Sequence, residues 1–149
     1  MKSIYKNWSK KTFKVYLDRF KLSENQKFKE YSKGMKTKLM LAVALSHEAR
    51  LLILDEPTSG LDPVFRREIL DVLKEFVKSG NNSVLFSTHI TSDLEHIADD
   101  VIFVNNGQLI FNDSKEEMFD LQLRYGKGTG SIDEIMIDLL KKVNHEGNI

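Results

Sequence analysis

The segment Leu51-Leu52-Ile53-Leu54-Asp55-Glu56 constrains this chain more than any other stretch. Four apolar residues in a row suit a strand buried on both faces of a parallel sheet. Two carboxylates stand where that strand ends, and open α/β sheets gather their ligands at the carboxyl ends of strands. An acidic pair so placed can hold a hydrated divalent cation and orient an attacking water. Taken by itself, the same segment is equally a core strand running into an acidic turn. The flanking residues have to decide between the two.

A chain of 149 residues is long enough for one core and too short for two comfortable domains. Its 22 basic and 22 acidic residues balance. No global field therefore draws it to nucleic acid or acidic lipid. The absence of cysteine excludes disulfides, thiolate metal sites and cysteine nucleophiles, and is compatible with a reducing compartment. The first twenty residues lack the unbroken apolar run of a secretory signal, and no run approaches the roughly 20 apolar residues that span a bilayer. The expectation is a soluble, cytoplasmic, single module.

Periodicity and caps give the order of elements. Ser9 is placed to cap a helix over about 10–20, with Phe13, Tyr16, Leu17 and Phe20 on one face. Leu22 to Tyr31 reads as a polar connection, followed by a helix at about 35–47. After the strand at 51–55, Asp62 caps a helix that opens with Pro63 and ends near Gly80, carrying Phe65, Ile69, Val72, Leu73 and Phe76 at helical spacing. Ser83 to Thr88 is a second buried-type strand, ending at His89. Ser92 with Glu95 forms a capping-box pattern for a short helix to about Ala98. Val101–Val104 and Gln108–Phe111, joined through Asn105-Asn106-Gly107, read as a hairpin. Ser114 with Glu117 starts another helix, 125–130 is a glycine-rich link, and Ser131 with Glu134 opens a last amphipathic helix. Strands alternating with helices indicate an α/β fold with a mainly parallel sheet.

Three further stretches carry chemistry. Tyr31-Ser32-Lys33-Gly34-Met35 precedes a helix, where a serine hydroxyl, a glycine and free N–H groups can face an anion, or where Ser32 simply caps. His89 follows the second strand and shares a sheet edge with Asp55 and Glu56 if the two strands are parallel. An imidazole there can hydrogen-bond a phosphate oxygen or the attacking water, and a lone histidine there is also an ordinary turn residue. Asp62 is an N-cap that can also serve an interface.

In this order and spacing, over roughly residues 8–120, these residues resemble the ATP-binding subunit of an ATP-binding cassette (ABC) transporter of bacterial type. Tyr31 to Met35 is similar to its signature loop, Leu51 to Glu56 to its Walker B strand, Ser59-Gly60-Leu61-Asp62 to its D-loop, and Ser87-Thr88-His89 to its switch histidine. The resemblance implies a partial P-loop NTPase domain of parallel strands with a C-terminal β-hairpin and helices. Residues 1–125 would be the C-terminal part of that domain, 1–47 a helical-subdomain remnant with the signature helix and 48–125 part of the catalytic core, and 126–149 a linker and amphipathic helix. It implies that Asp55 holds Mg²⁺ through water and that Glu56 polarises the water attacking the γ-phosphate of ATP. His89 would contact that phosphate. Ser32 and Gly34 would bind the γ-phosphate of a nucleotide held by a second ATP-binding subunit in a head-to-tail dimer, and Asp62 would couple the two sites. The partners implied are that second subunit and a transmembrane permease, with no nucleic acid. The location implied is the cytoplasmic face of the cell membrane.

The signature departs from the commoner Leu-Ser-Gly-Gly-Gln form at Tyr31, Lys33 and Met35. A larger departure is the absence of a G-x-x-x-x-G-K-[S/T] loop: no glycine precedes residue 34, and Gly126-Lys127-Gly128-Thr129-Gly130 has the wrong spacing and follows no strand. The chain thus reads as starting inside the helical subdomain. In the family, the strand that leads into that loop lies between the strands matching 84–88 and 101–104. Without it two apolar strand edges lose their partners, at about 1–3 kcal/mol for each unpaired buried backbone group. By itself the chain is expected to be unstable, to self-associate or to re-pair its strands. Sedimentation and thermal melting test this, and a monodisperse monomer melting cooperatively at high temperature would overturn it.

Overall fold

Short polar side chains start most of the helices in the computed structural model, which describes residues 7–78, 80–125 and 130–146. Helix α1 (Lys10–Arg19) begins where the Ser9 hydroxyl accepts the Thr12 N–H at 3.2 Å. It ends as Lys21 turns into the left-handed region (φ 54°) and the Leu22 N–H reaches back to the Leu17 carbonyl at 2.9 Å. The following connection is less polar than its sequence suggests. Leu22 and Tyr31 are buried, a 3₁₀ turn spans Phe28–Glu30, and the Tyr31 hydroxyl donates to the Ser23 carbonyl at 3.0 Å. Helix α2 runs over Lys33–Ala44, earlier than the expected 35–47, because the Ser32 hydroxyl takes the Met35 N–H at 3.2 Å and fixes the first turn at Lys33.

Strand β1 (Leu51–Asp55), helix α3 (Pro63–Lys78) and strand β2 (Ser83–Ser87) follow, with β1 and β2 parallel. Their register sets Leu51 opposite Ser83, Ile53 opposite Leu85 and Asp55 opposite Ser87. The expectation that these strands are buried on both faces is corrected. Leu52 is buried, whereas Leu51, Ile53 and Leu85 are 53%, 71% and 52% exposed. Side chains alternate between the faces of a strand, so one face of the pair is closed and the other is open and apolar. Closing a face needs a packed layer, and α3 packs on β2.

The chain divides into two compact units, Met1–His89 and Ile90–Ile149. In the first, Lys38 of α2 is the unusual core residue. Its side chain is 5% exposed, its ammonium lies 2.7 Å from the Glu68 carboxylate of α3, 3.7 Å from the centroid of the Phe65 ring and 5.7 Å from that of Phe20. One buried cation therefore ties the end of α1, α2 and α3 together. On the surface the Arg19 guanidinium grips Glu75 and holds its carboxyl below the usual range, a contact worth little at such exposure.

In the second unit, α4 (Thr91–Ile97) starts without a side-chain cap, contrary to the Ser92–Glu95 capping box. Glu95 is used elsewhere: its carboxylate accepts the Ile132 N–H at 3.0 Å. Strands β3 (Asp100–Asn105) and β4 (Gln108–Ser114) form the expected antiparallel hairpin, turned by Asn106 (φ 48°) and Gly107 (φ 76°). The Ser114 hydroxyl accepts the Glu117 N–H to begin α5 (Lys115–Tyr125), and Ser131 accepts the Glu134 N–H to begin α6 (Ile132–Glu146). Ala98, Val101, Phe111, Met118, Ile132 and Ile135 form this unit's core. Residues 126–129 of the glycine-rich link lie outside the described residues.

Among the described residues there are two two-stranded sheets, β1–β2 and β3–β4. No described helix is long and apolar enough to cross a membrane. Lys38→Ala is expected to lower stability by about 2–4 kcal/mol, since it strands part of Glu68 and opens a cavity against two rings. Lys38→Met keeps the apolar stem and is expected to cost about half as much. Urea denaturation of both variants checks this, and an unchanged midpoint in Lys38→Ala would remove the ion pair from the core.

Candidate functional site

Parallel pairing in register brings the carboxyl ends of β1 and β2 together, and the chemistry gathers there. The Ser87 hydroxyl donates to Asp55 Oδ1 at 2.6 Å. Ser87 Oγ in turn accepts the Glu56 N–H at 3.1 Å, and that N–H also reaches the Ser87 carbonyl at 3.2 Å. Glu56 holds a left-handed backbone (φ 47°), which turns the chain sharply out of the strand. Two residues beyond Ser87, the His89 ring meets that glutamate, with Nδ1 2.8 Å from Oε1. As donor, Nδ1 carries the proton and leaves Nε2 free as an acceptor when the ring is neutral. Glu56 Oε2 is buried and has no hydrogen-bond partner among the described residues. Asp55 and Glu56 from one stretch of sequence and His89 from another thus form one hydrogen-bonded group with Ser87.

A second group forms between α2 and the turn after Glu56. That turn is held by the Ser59 N–H on the Glu56 carbonyl and the Leu61 N–H on the Thr58 carbonyl, both at 3.2 Å, with Thr58 fully buried. Gly34 backs onto it: a Cβ on Gly34 would stand 3.4 Å from a Leu61 methyl. Gly60 (φ 70°) lies under the Lys33 side chain, whose ammonium would come within 2.7 Å of a Cβ there. Asp62 accepts the Val64 and Phe65 N–H groups on one carboxylate oxygen, both at 3.1 Å, and so caps α3. Ser32 spends a lone pair on the Met35 N–H and keeps its hydroxyl proton to donate. Gly34 and Asp62 therefore border one end of this turn, with Ser32 two residues before Gly34, and Asp55, Glu56 and His89 gather at its other end. The segment 56–62 is the covalent link between them.

Two participants do not stand out in the sequence. Ser87 lies two residues before His89, and only the β1–β2 register reveals that it faces Asp55. The Lys33 approach to Gly60 is a tertiary contact with no local signal.

The donor set suits a hard cation. Asp55, Glu56 and Ser87 offer only oxygen, and no described cluster of three metal-ligating side chains exists. Mg²⁺ is bound in that manner, through one or two carboxylates with water and phosphate supplying the rest. The partnerless Glu56 oxygen is a ready acceptor for such a water.

A parallel pair that presents an acidic dyad and a histidine at its carboxyl ends places them where open α/β sheets gather their ligands. Comparison with known proteins agrees. A family model described as "AAA domain, putative AbiEii toxin, Type IV TA system" matches residues 4–92. A lantibiotic transport ATP-binding protein of Streptococcus pyogenes, SrtF, is 38% identical over 105 residues, covering 66% of this chain and 45% of that protein. A bacitracin transport ATP-binding protein of Enterococcus faecalis, BcrA, is 34% identical over 118 residues, covering 79% and 38%. A solved ATP-binding subunit of an ABC transporter superposes with a TM-score of 0.74 at 28% identity, covering 89% of this chain and 56% of that one. The chain belongs to this AAA-domain family, and the relatives and the solved structure it resembles are ATP-binding subunits of transporters. The match spans less than half the length of these two curated relatives.

The cap at Asp62 separates structural from functional roles. Asp62→Ala is expected to lower stability by about 1 kcal/mol through loss of the one oxygen that accepts two N–H groups, and Asp62→Asn to lower it by a few tenths at most. Thermal melting compares the two, and equal losses would mean that the cap is not what Asp62 contributes.

Proposed function

We propose that this chain is part of the ATP-hydrolysing subunit of an ABC transporter, acting with a second ATP-binding subunit and a transmembrane permease at the cytoplasmic face of a membrane. The reading rests above all on one observation: Asp55, Glu56 and His89 converge in a single hydrogen-bonded group at the carboxyl ends of β1 and β2. Residues 1–125 are then the C-terminal part of the ATPase domain, and 126–149 a linker with its following helix.

Asp55 in this reading holds Mg²⁺ through water, and the bound ion supplies neutralising charge to the phosphates. Glu56 orients and polarises the water that attacks the γ-phosphate, accepting its hydrogen bond on the oxygen that lacks a partner. His89 can exchange its bond to Glu56 for one to the phosphate, since its side chain is 68% exposed. The Ser32 hydroxyl and the N–H groups at the start of α2 face the γ-phosphate of nucleotide held by a partner subunit, where the helix N-terminus favours negative charge. Asp62, fixed as the cap of α3 in the turn that Glu56 opens, carries the state of one site toward the other. Positioning and charge stabilisation of this kind are what phosphoryl transfer requires. The balanced charge of the chain supplies no attraction to nucleic acid.

Glu56→Gln in the protein that carries this segment is expected to lower ATP turnover at least about 100-fold while nucleotide binding is retained. Steady-state hydrolysis and equilibrium binding of ATP measure the two, and near-normal hydrolysis would remove Glu56 from the catalytic role.

A further inference from the structure

Ser87 belongs to none of the roles assigned above, yet both carboxylates of the site depend on it. Its one hydroxyl donates to Asp55 Oδ1 at 2.6 Å and accepts the Glu56 N–H at 3.1 Å. Both of its hydrogen-bonding directions toward the site are thereby used. The register places Ser87 directly opposite Asp55, on the same face of the strand pair as Ile53 and Leu85, which is the open one. No other side chain of this group reaches both acidic residues.

We propose that Ser87 is a positioning residue for hydrolysis. Its hydroxyl proton pins one oxygen of Asp55 and so turns the other toward the cation. Its lone pair holds Glu56 in the left-handed backbone that carries the carboxylate across to His89. This inference rests on the reading that Asp55 and Glu56 serve metal-dependent hydrolysis. The geometry also limits which residues can stand at position 87. The side chain must donate and accept at one atom and be short enough to stay beneath Asp55, which only serine and threonine do among the uncharged residues that favour a strand.

The test compares Ser87→Thr with Ser87→Val in this chain. Both are β-branched and of similar volume, so they differ in the hydroxyl and not in strand preference. Hydrogen exchange read at single amides by mass spectrometry reports the Glu56 N–H, and electron paramagnetic resonance of free Mn²⁺ reports cation binding, with Asp55→Asn as the control. Ser87→Thr is expected to keep Glu56 exchange and Mn²⁺ affinity near the parent values. Ser87→Val is expected to speed Glu56 exchange about fivefold, the effect of one lost hydrogen bond, and to weaken Mn²⁺ binding several-fold. Amides in the middle of β1 and β2 should stay unchanged in both variants. Equal Glu56 exchange in the two variants would overturn the proposal. So would faster exchange spread evenly over both strands, which would mark a merely structural residue. If the parent chain shows no Mn²⁺ binding that Asp55→Asn removes, the hydrolytic reading of Asp55 fails, while the exchange comparison still decides whether Ser87 holds Glu56.

Discussion

Everything that gives this chain a chemistry depends on the register between β1 and β2. Parallel pairing sets Asp55 opposite Ser87 and lets the chain leave both strands at the same edge. A slip of one residue would send Asp55 and Ser87 to opposite faces and break the contact between Glu56 and the second strand. The register is held by more than the ladder, because α3, which joins the two strands, buries Ile69, Leu70, Val72 and Leu73. The connecting helix therefore fixes where the strands end, and the strand ends fix the site.

The strand pair is also where the fold is least complete. Leu52 is buried, but Leu51, Ile53 and Leu85 face outward more than half exposed, an arrangement that a lone two-stranded sheet does not favour. More than half of each curated relative lies outside the matched part, and the solved ATP-binding subunit also extends well beyond it. An apolar face of this kind is the ordinary complement of a further layer. The second unit shows the contrast, since its hairpin and three helices enclose a core of their own around Met118 and Ile132.

Much of this is legible in the sequence, and the physical reason differs by element. Ser9, Asp62, Ser114 and Ser131 mark helix starts because an N-cap is a local interaction, readable from a few residues. Asn106-Gly107 marks the hairpin because both residues must adopt positive φ. The Ser92–Glu95 pattern misleads for the opposite reason: Glu95 finds a better acceptor role at the distant Ile132 N–H, and tertiary structure outweighs the local motif. Burial on both faces of β1 does not follow from its apolar run, because composition reports what a strand can bury and not what is there to cover it. The convergence of Asp55, Glu56 and His89 follows from two strands ending in chemistry. Ser87 stays hidden because its importance lies in a register that no single stretch contains.

The energetics of the Glu56 turn explain why a serine matters at that point. A left-handed backbone at a residue with a Cβ costs about 1–2 kcal/mol. The bifurcated bond from the Glu56 N–H to Ser87 returns about 1 kcal/mol, too little by itself to hold the turn. A hydrogen bond from the same hydroxyl to the charged Asp55 contributes about 1 kcal/mol more at this exposure. That second bond anchors the serine in the orientation its first bond needs. The strain at Glu56 is therefore offset in part through Asp55, because the serine orientation that serves Glu56 is the one the Asp55 bond fixes. The Asp55 carboxylate and the Glu56 backbone become two ends of one hydrogen-bonded unit.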